Sequence, residues 1–166
     1  MMRALLLGVF MISFYSINAQ KFFTGNGDYS VLVNGNVNVK HVETENGGFI
    51  DSYILREDGV FLYMISITKV KPPGLTSETI YSEGYKQSYL TECSCELLES
   101  KKIEARNFNG IKFTILAELN GSRIKGFSVS TVSSGTLFTV NFLTEEKRFD
   151  SFIGEYEKII NSFMFR

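Results

Sequence analysis

Histidine and cysteine are scarce in this sequence, and their scarcity excludes several classes of function. The 166-residue chain has one histidine, His41, and two cysteines, Cys93 and Cys95. A structural zinc site needs about four Cys or His ligands, which these residue types cannot supply alone. Nucleophilic catalysis needs an activating base, and the chain has no second histidine and no Gly-x-Ser-x-Gly elbow. We therefore expect no bound metal, no cofactor and no catalytic residue.

Positive charge is also scarce in any one place. The formal net charge is −1, and the longest basic run is the pair Lys101-Lys102. Nucleic-acid-binding proteins show a basic patch or stripe, and polybasic membrane sites need longer clusters. Residues 20–29 are expected to form a polar, glycine-containing lead-in. Within and just after it, Thr24–Ser30 is glycine-bearing but lacks the Gly-x-x-x-x-Gly-Lys spacing that cradles phosphates, and we interpret it as flexible. We expect no nucleic-acid partner.

The first 19 residues have the pattern of a secretory signal peptide. Arg3 precedes an apolar run from Ala4 to about Tyr15, and the small residue Ala19 stands where cleavage would occur. The apolar run is shorter than the roughly 20 residues that a membrane-spanning helix needs. The sequence predicts cleavage between Ala19 and Gln20, export to the periplasm or the medium, and one domain over residues 20–166 without a membrane span. A retained anchor is the alternative.

Alternating apolar residues and glycine turns predict a fold that is rich in strands. The β-rich segments are Tyr29–Val33, Phe49–Leu55, Val60–Val70, Arg123–Thr131 and Thr136–Leu143. The turn dipeptides are Asn34-Gly35, Asp58-Gly59, Asn109-Gly110, Asn120-Gly121 and Ser134-Gly135. Because such short turns join antiparallel strands, we expect a largely antiparallel sheet. Val60–Val70 is apolar on both faces at its start, which is typical of a central strand that is covered on both sides.

Two helices are predicted to pack on this sheet. A break at Pro72-Pro73-Gly74 precedes a helix from Glu78 to about Leu90, with Thr76 or Ser77 as its N-cap. The last helix begins near Phe149, and its apolar residues recur every three or four positions as far as Phe163. Strands, a helix, more strands and a final helix indicate an α+β sandwich.

Three tyrosines are the candidate partner-binding residues. Tyr81, Tyr85 and Tyr89 repeat every four positions along the first helix. Aromatic side chains with a polar tip are enriched at protein interfaces. The alternative is that these tyrosines pack on the sheet and leave their hydroxyl groups at its rim.

The two cysteines leave three alternatives open: a local disulfide, free or intermolecularly paired thiols, and a catalytic redox pair. An exported protein meets an oxidising compartment, where a disulfide is permitted. In an extended strand, residues two apart lie about 6.5–7 Å from each other, at the upper limit for a disulfide, so a bridge between Cys93 and Cys95 needs a turn. The flanking Glu92 and Glu96 disfavour the thiolate that redox chemistry requires. We favour the disulfide.

Two further groups of side chains contain residue types that can bind metals or transfer protons: His41 with Glu43 and Glu45, and Asp51 with Glu57 or Asp58. The histidine and its two glutamates share the parity of one strand, and we interpret them as a solvated strand, because no second ligand cluster accompanies them. Asp51 is expected at a hairpin, where solvated acids are ordinary, and acid–base work by this group stays an alternative.

The order of these elements resembles the PsbP-like (Mog1/PsbP/DcrB-like) α/β/α sandwich family. The resemblance is carried by "FNGIKFTI" at Phe108–Ile115, "TVSSGTLFTVNFLT" at Thr131–Thr144 and "EYEKIINSFMF" at Glu155–Phe165. It implies a small exported bacterial module with an accessory or binding role and no enzymatic activity, and it transfers no functional residue, because a fold alone does not confer function.

We therefore expect an exported, non-enzymatic accessory or binding module of the cell envelope, with an envelope protein as its partner. An envelope thiol-redox or hydrolytic enzyme is the alternative. A structural subunit of a surface assembly is a third hypothesis.

Overall fold

Strands make up most of the chain that the structure, a computed structural model, describes: residues 21–25, 27–44 and 47–165. The strands are β1 Lys21–Gly25, β2 Tyr29–Val33, β3 Val37–Glu43, β4 Phe49–Glu57, β5 Val60–Val70, β6 Glu96–Glu104, β7 Asn109–Leu119, β8 Ser122–Ser133, β9 Thr136–Glu145 and β10 Met164–Phe165. The helices are α1 Glu83–Cys93 and α2 Ile153–Ser162, preceded by 3₁₀ segments at Thr79–Tyr81 and Glu146–Phe152. The predicted leader and its cleavage site at Ala19 and Gln20 lie outside the described residues.

Seven strands form one antiparallel sheet in the order β3-β4-β5-β9-β8-β7-β6. The hairpin turns Asp58-Gly59, Asn120-Gly121 and Ser134-Gly135 have positive φ at both residues, the conformation that matches the twist of two adjoining strands. β5 is an interior strand of this sheet, as its two apolar faces predicted. The prediction of a largely antiparallel α+β fold is confirmed.

A smaller sheet, in the order β1-β2-β10, uses both ends of the described chain. Two predictions were wrong here. The segment expected to be a flexible lead-in contains β1, which pairs with all of β2 and stacks Phe23 against Tyr53 with ring centroids 4.9 Å apart. The last α-helix begins at Ile153, after the 3₁₀ segment Glu146–Phe152, and not near Phe149. It ends at Ser162, as expected, and the hydroxyl of Ser162 accepts a hydrogen bond from the Leu32 backbone N–H at 2.9 Å. The chain then continues in extended form into β10.

The main core lies between the seven-stranded sheet and a layer made of α2 and the small sheet. Many of its buried side chains come from β2, from the central strands, from α2 and from the residue after α2: Tyr29, Val31, Val33, Tyr63, Ile65, Ile67, Phe138, Val140, Phe142, Tyr156, Ile159, Ile160 and Phe163. Each large apolar side chain that is fully buried contributes roughly 1.5–3 kcal/mol before the cost of ordering the chain. This core holds the two sheets together.

The outer face of the seven-stranded sheet carries a smaller core beneath α1, formed by Ile80, Ile111, Phe113 and Ile115. The helix begins later than predicted. Thr79–Tyr81 is a 3₁₀ turn, and the side chain of Ser82 caps α1 by accepting from the Tyr85 backbone N–H at 3.1 Å. Neither α1 nor α2 is long and apolar enough to cross a bilayer, and the same holds for every helix in the described ranges.

The turn predicted at Asn109-Gly110 was also misplaced. The chain reverses between β6 and β7 at residues 105–108, where the Ala105 N–H bonds to the Phe108 carbonyl at 2.9 Å. Gly110 lies within β7, and a Cβ atom there would collide with the backbone oxygen of Ser130. Close approach of two strands therefore requires this glycine, and not a turn.

A buried network of hydrogen bonds joins the small sheet to the large one. The Tyr29 hydroxyl on β2 donates to an oxygen of Asp51 on β4 at 2.6 Å, and the hydroxyl groups of Tyr29 and Tyr53 lie 2.5 Å apart. Because the one proton of Tyr29 goes to Asp51, Tyr53 donates to Tyr29. The other carboxylate oxygen of Asp51 lies 2.5 Å from His41 Nδ1. Each carboxylate oxygen of the buried Asp51 therefore has a hydrogen-bond partner within the fold.

Both tyrosines hold their protons tightly. Burial raises the pKa of Tyr53 to about 12. Burial, followed by the hydrogen bond to Asp51, raises the pKa of Tyr29 further. The folded state therefore favours the neutral phenol groups more strongly than the unfolded chain does.

Removal of the Asp51 side chain tests the importance of this buried hydrogen-bond network. We expect Asp51→Ala to lower the free energy of unfolding by about 2–4 kcal/mol, because it leaves the Tyr29 hydroxyl buried without its acceptor. Urea denaturation measures the loss. Asp150→Ala, which removes an exposed aspartate, is the control and should change stability by less than about 0.5 kcal/mol. Equal small effects of the two variants would contradict the account.

Alkaline pH should weaken the same hydrogen-bond network, because Tyr53 loses its proton. An unfolded tyrosine titrates near pH 10, whereas Tyr53 in the fold titrates at about 12. Its contribution to stability is therefore complete below pH 10 and is lost as the pH rises from 10 towards 12. In urea denaturation over that window, the free energy of unfolding should fall less steeply for Tyr53→Phe than for the unaltered protein. Parallel curves would show that Tyr53 does not carry this pH dependence.

Candidate functional site

Hydrogen bonds to the sheet fix the position of α1. The Tyr85 hydroxyl donates to Ser130 Oγ at 2.6 Å, and the Tyr89 hydroxyl donates to Asn141 Oδ1 at 3.2 Å. The amide of Asn141 in turn donates to Ser66 Oγ at 3.1 Å. Burial raises the pKa of both tyrosines, so both remain protonated donors at neutral pH. The first helix is therefore held in one position on β5, β8 and β9.

The three tyrosines singled out from the sequence face the sheet along α1 and the turn before it. Tyr81, Tyr85 and Tyr89 are half-buried against the smaller core. Lys102 lies 4.8 Å above the centre of the Tyr81 ring, in cation–π contact. Tyr89 also borders an apolar groove, whereas Tyr81 borders a separate, more polar one. A partner-binding role of these residues stays a prediction, and the geometry favours Tyr89 for it.

The groove, which we call the α1 groove, opens beyond the C-terminal end of α1 and has a volume of about 380 Å³. Its lining comprises Tyr89, Glu92, Cys93, Cys95, Ile115, Ala117, Glu118, Leu119, Ile124, Asn141 and Leu143. The floor is apolar. Leu119, at its edge, is 60 % exposed, the largest exposure of any large apolar side chain in the described ranges.

Strand alternation and register build this floor. Ile115, Ala117 and Leu119 alternate along β7, so they share one face, and Ile124 pairs with Ala117 across the β7–β8 ladder. Ile115 and Leu143 flank Gly126, and the absence of a side chain at Gly126 leaves space into which Leu143 leans. The result is a shallow apolar surface that ends at the turn between β7 and β8.

The two cysteines form one wall of the α1 groove. Ser94 adopts the left-handed conformation that ends α1, with φ 51° and ψ 44°. This turn brings the Cα atoms of Cys93 and Cys95 to 5.2 Å, within the range of disulfides, and their sulfur atoms within bonding distance. The helix C-cap therefore provides the turn that a bridge needs. The disulfide stays a prediction, now with a compatible backbone.

His41 and Asp51 meet, with the histidine exposed on the edge strand β3. Their side chains pair because the register of β3 and β4 places these residues opposite each other. Within the described ranges, no serine or cysteine is hydrogen-bonded to His41, and no three His, Cys, Asp or Glu side chains are grouped as metal ligands. Glu43 is exposed beside His41 on the same strand, and Glu45 lies outside the described residues.

The structure does not support the proposed grouping of Asp51 with Glu57 or Asp58. Asp51 is buried in the middle of β4, whereas Glu57 and Asp58 are exposed at the turn. Six residues of strand, at about 3.4 Å each, place the two sites roughly 20 Å apart. Asp51 acts as a structural group that orients Tyr29 and His41.

The apolar floor was missed at the level of the sequence. Its signal was present in the alternation of Ile115, Ala117 and Leu119 up to the Asn120-Gly121 turn. An apolar residue beside a turn marks exposed apolar surface, but the lining from α1 and β9 depends on tertiary structure.

Comparison with known proteins locates the chain by its fold. No protein-family model matches it, and none of the curated proteins is significantly similar to it. Among solved structures, the cyanobacterial PsbP protein CyanoP of Synechocystis sp. PCC 6803 matches with a TM-score of 0.61 and 13% identity. The match covers 92% of this chain and 95% of CyanoP.

Two further structures share the architecture. A protein of unknown function from Pseudomonas aeruginosa matches with a TM-score of 0.56 and 8% identity, over 86% of this chain and 94% of its own. A Bacteroides thetaiotaomicron protein matches with a TM-score of 0.57 and 13% identity, over 90% of this chain; the chain spans about half of that protein, 49%. At these identities the likeness concerns the fold alone. The chain has the PsbP-like fold that the resemblance in its sequence predicted.

Proposed function

We propose that the chain is an exported, non-enzymatic binding module of the cell envelope, which docks a partner protein in the α1 groove. The observation that carries the proposal is the apolar floor of Ile115, Ala117 and Leu143 next to the exposed Leu119. Concave apolar surface with a few fixed polar groups is the usual form of a binding site. Tyr89 and Asn141 supply those polar groups.

The polar side chains around the groove support binding in preference to catalysis. Tyr89, Asn141 and Ser66 are hydrogen-bonded to one another. Groups held in this way fix the shape of the floor and present no activated nucleophile. The resemblance to PsbP-like modules also favours an accessory role, and the leader pattern of residues 1–19 favours export.

A thiol-redox function is the second candidate, because Cys93 and Cys95 border the same groove. A redox pair needs a stabilised thiolate, usually from a basic neighbour or a helix N-terminus. These cysteines lie instead at the C-terminal end of α1, where the helix dipole is negative, and Glu92 stands beside them. The local charge therefore favours a structural bridge.

Binding to the α1 groove is tested with the uncharged apolar dye Nile red and a matched pair of leucine variants. We expect Leu119→Ser to weaken dye binding by about fivefold, because roughly 1 kcal/mol of apolar contact is lost. Leu98→Ser is the control: Leu98 is 45 % exposed on the neighbouring strand and does not border the groove. Fluorescence titration gives both affinities. Equal affinities of the two variants would contradict binding in this groove.

The cysteines are tested by replacing both with serine. We expect the unaltered exported protein to take up iodoacetamide only after reduction, as intact-mass spectrometry would show. Cys93→Ser combined with Cys95→Ser should cost less than about 2 kcal/mol of stability, because the closed loop is so short. Insulin-reductase activity that the unaltered protein shows and this variant lacks would favour the redox enzyme instead.

A further inference from the structure

We infer that the occupant of the α1 groove is a peptide segment of a partner protein that carries large apolar side chains next to lysine or arginine. This inference rests on the proposed function and adds the chemistry of the ligand. Three features of the outer sheet face lead to it: the volume of the groove, the sign of its charge, and an apolar row that extends beyond it.

The small, open form of the groove suits a few side chains of a longer chain. At about 380 Å³, the groove is at the lower end of the roughly 300–1,000 Å³ that small-molecule pockets occupy. It is also open at the β7–β8 turn, where Leu119 is exposed. An open apolar surface of this size accommodates a few side chains from a longer chain.

The negative charge at the groove favours a positively charged ligand. The acidic side chain on the face of the groove is Glu92 of α1, and no lysine or arginine of the described ranges lines the groove. Glu118 also borders the groove, but it alternates with Ala117 and Leu119, so its side chain leaves β7 on the opposite side. Glu92 is exposed and receives one side-chain hydrogen bond, from Ser88 at 3.3 Å. Arg123, opposite Glu118 in the ladder, is engaged by Glu146 at 2.9 Å. An anionic headgroup would be repelled here, whereas a lysine or arginine would be attracted.

An apolar row continues from the groove across the outer face. Leu143 of β9 pairs with Met64 of β5, and Met64 pairs with Ile54 of β4. Residues that are directly opposite share a face of the sheet, so these side chains form one line with Ile115. All three are half-buried. A line of partly exposed apolar side chains over several strands matches an extended ligand, such as a peptide, better than a compact one.

Three fluorescein-labelled peptides of equal length and identical leucine and phenylalanine pattern test the inference, with lysine, glutamate or serine at the remaining positions. Fluorescence anisotropy at low salt should give the tightest binding for the lysine peptide and the weakest for the glutamate peptide. Glu92→Lys should weaken binding of the lysine peptide by about threefold to tenfold. Glu157→Lys, which reverses an exposed acid on α2, is the matched control and should leave the affinity unchanged.

The outcomes separate this inference from the proposed function. Equal binding of the three peptides, weakened in each case by Leu119→Ser, would overturn the charge preference and leave the groove as a binding site. Absence of binding by all peptides and by Nile red would overturn both. The protein could instead bind phosphatidylglycerol vesicles more strongly than the lysine peptide and lose this binding in Leu119→Ser. That result would show that the ligand of the groove is a lipid and not a peptide. The inference is supported if Glu92→Lys weakens binding of the lysine peptide and Glu157→Lys does not.

Discussion

The structure depends on how a seven-stranded sheet with two apolar faces is covered. At about 4.8 Å per strand, seven strands span roughly 29 Å, whereas one helix has a diameter of about 10 Å. The inner face is covered by both α2 and the three-stranded sheet, but the outer face carries only α1 and its preceding turn among the described elements. Leu143 and Met64 are half-buried for this reason. The α1 groove is the place where the cover ends.

Polar side chains fix the covering layers where apolar contacts alone would permit sliding. On the inner side, Tyr29 reaches Asp51 from β2 and locks the small sheet to β4. On the outer side, Tyr85 and Tyr89 bond to Ser130 and Asn141 and set the position of α1. Buried hydrogen-bonded groups of this kind specify one arrangement, because a shift would leave them unpaired. These hydrogen bonds therefore help to define the shape of the groove.

The sequence predicted the long elements and failed where local pattern carries little information. Apolar alternation in β5 and β9 identified the central strands, whereas β1 and β10 are short and exist only because β2 offers a partner. Gly110 was misread as a turn, because the sequence cannot distinguish close strand approach from chain reversal. Asp51 was read as a solvated acid, although Phe49 and Tyr53 on the same strand parity signal a buried face.

The site was predicted less completely than the fold, because its lining comes from three strands and one helix. The tyrosines and cysteines were identified from local spacing, but the floor depends on the register that aligns Ile115 and Leu143 beside Gly126.

Methyl NMR of the protein titrated with the lysine-bearing apolar peptide tests the central claim most directly. The account predicts shifts confined to methyl groups of the groove, such as those of Ile115, Ile124 and Leu143. Shifts centred on the buried Ile65 and Ile67, or spread evenly over the surface, would contradict it.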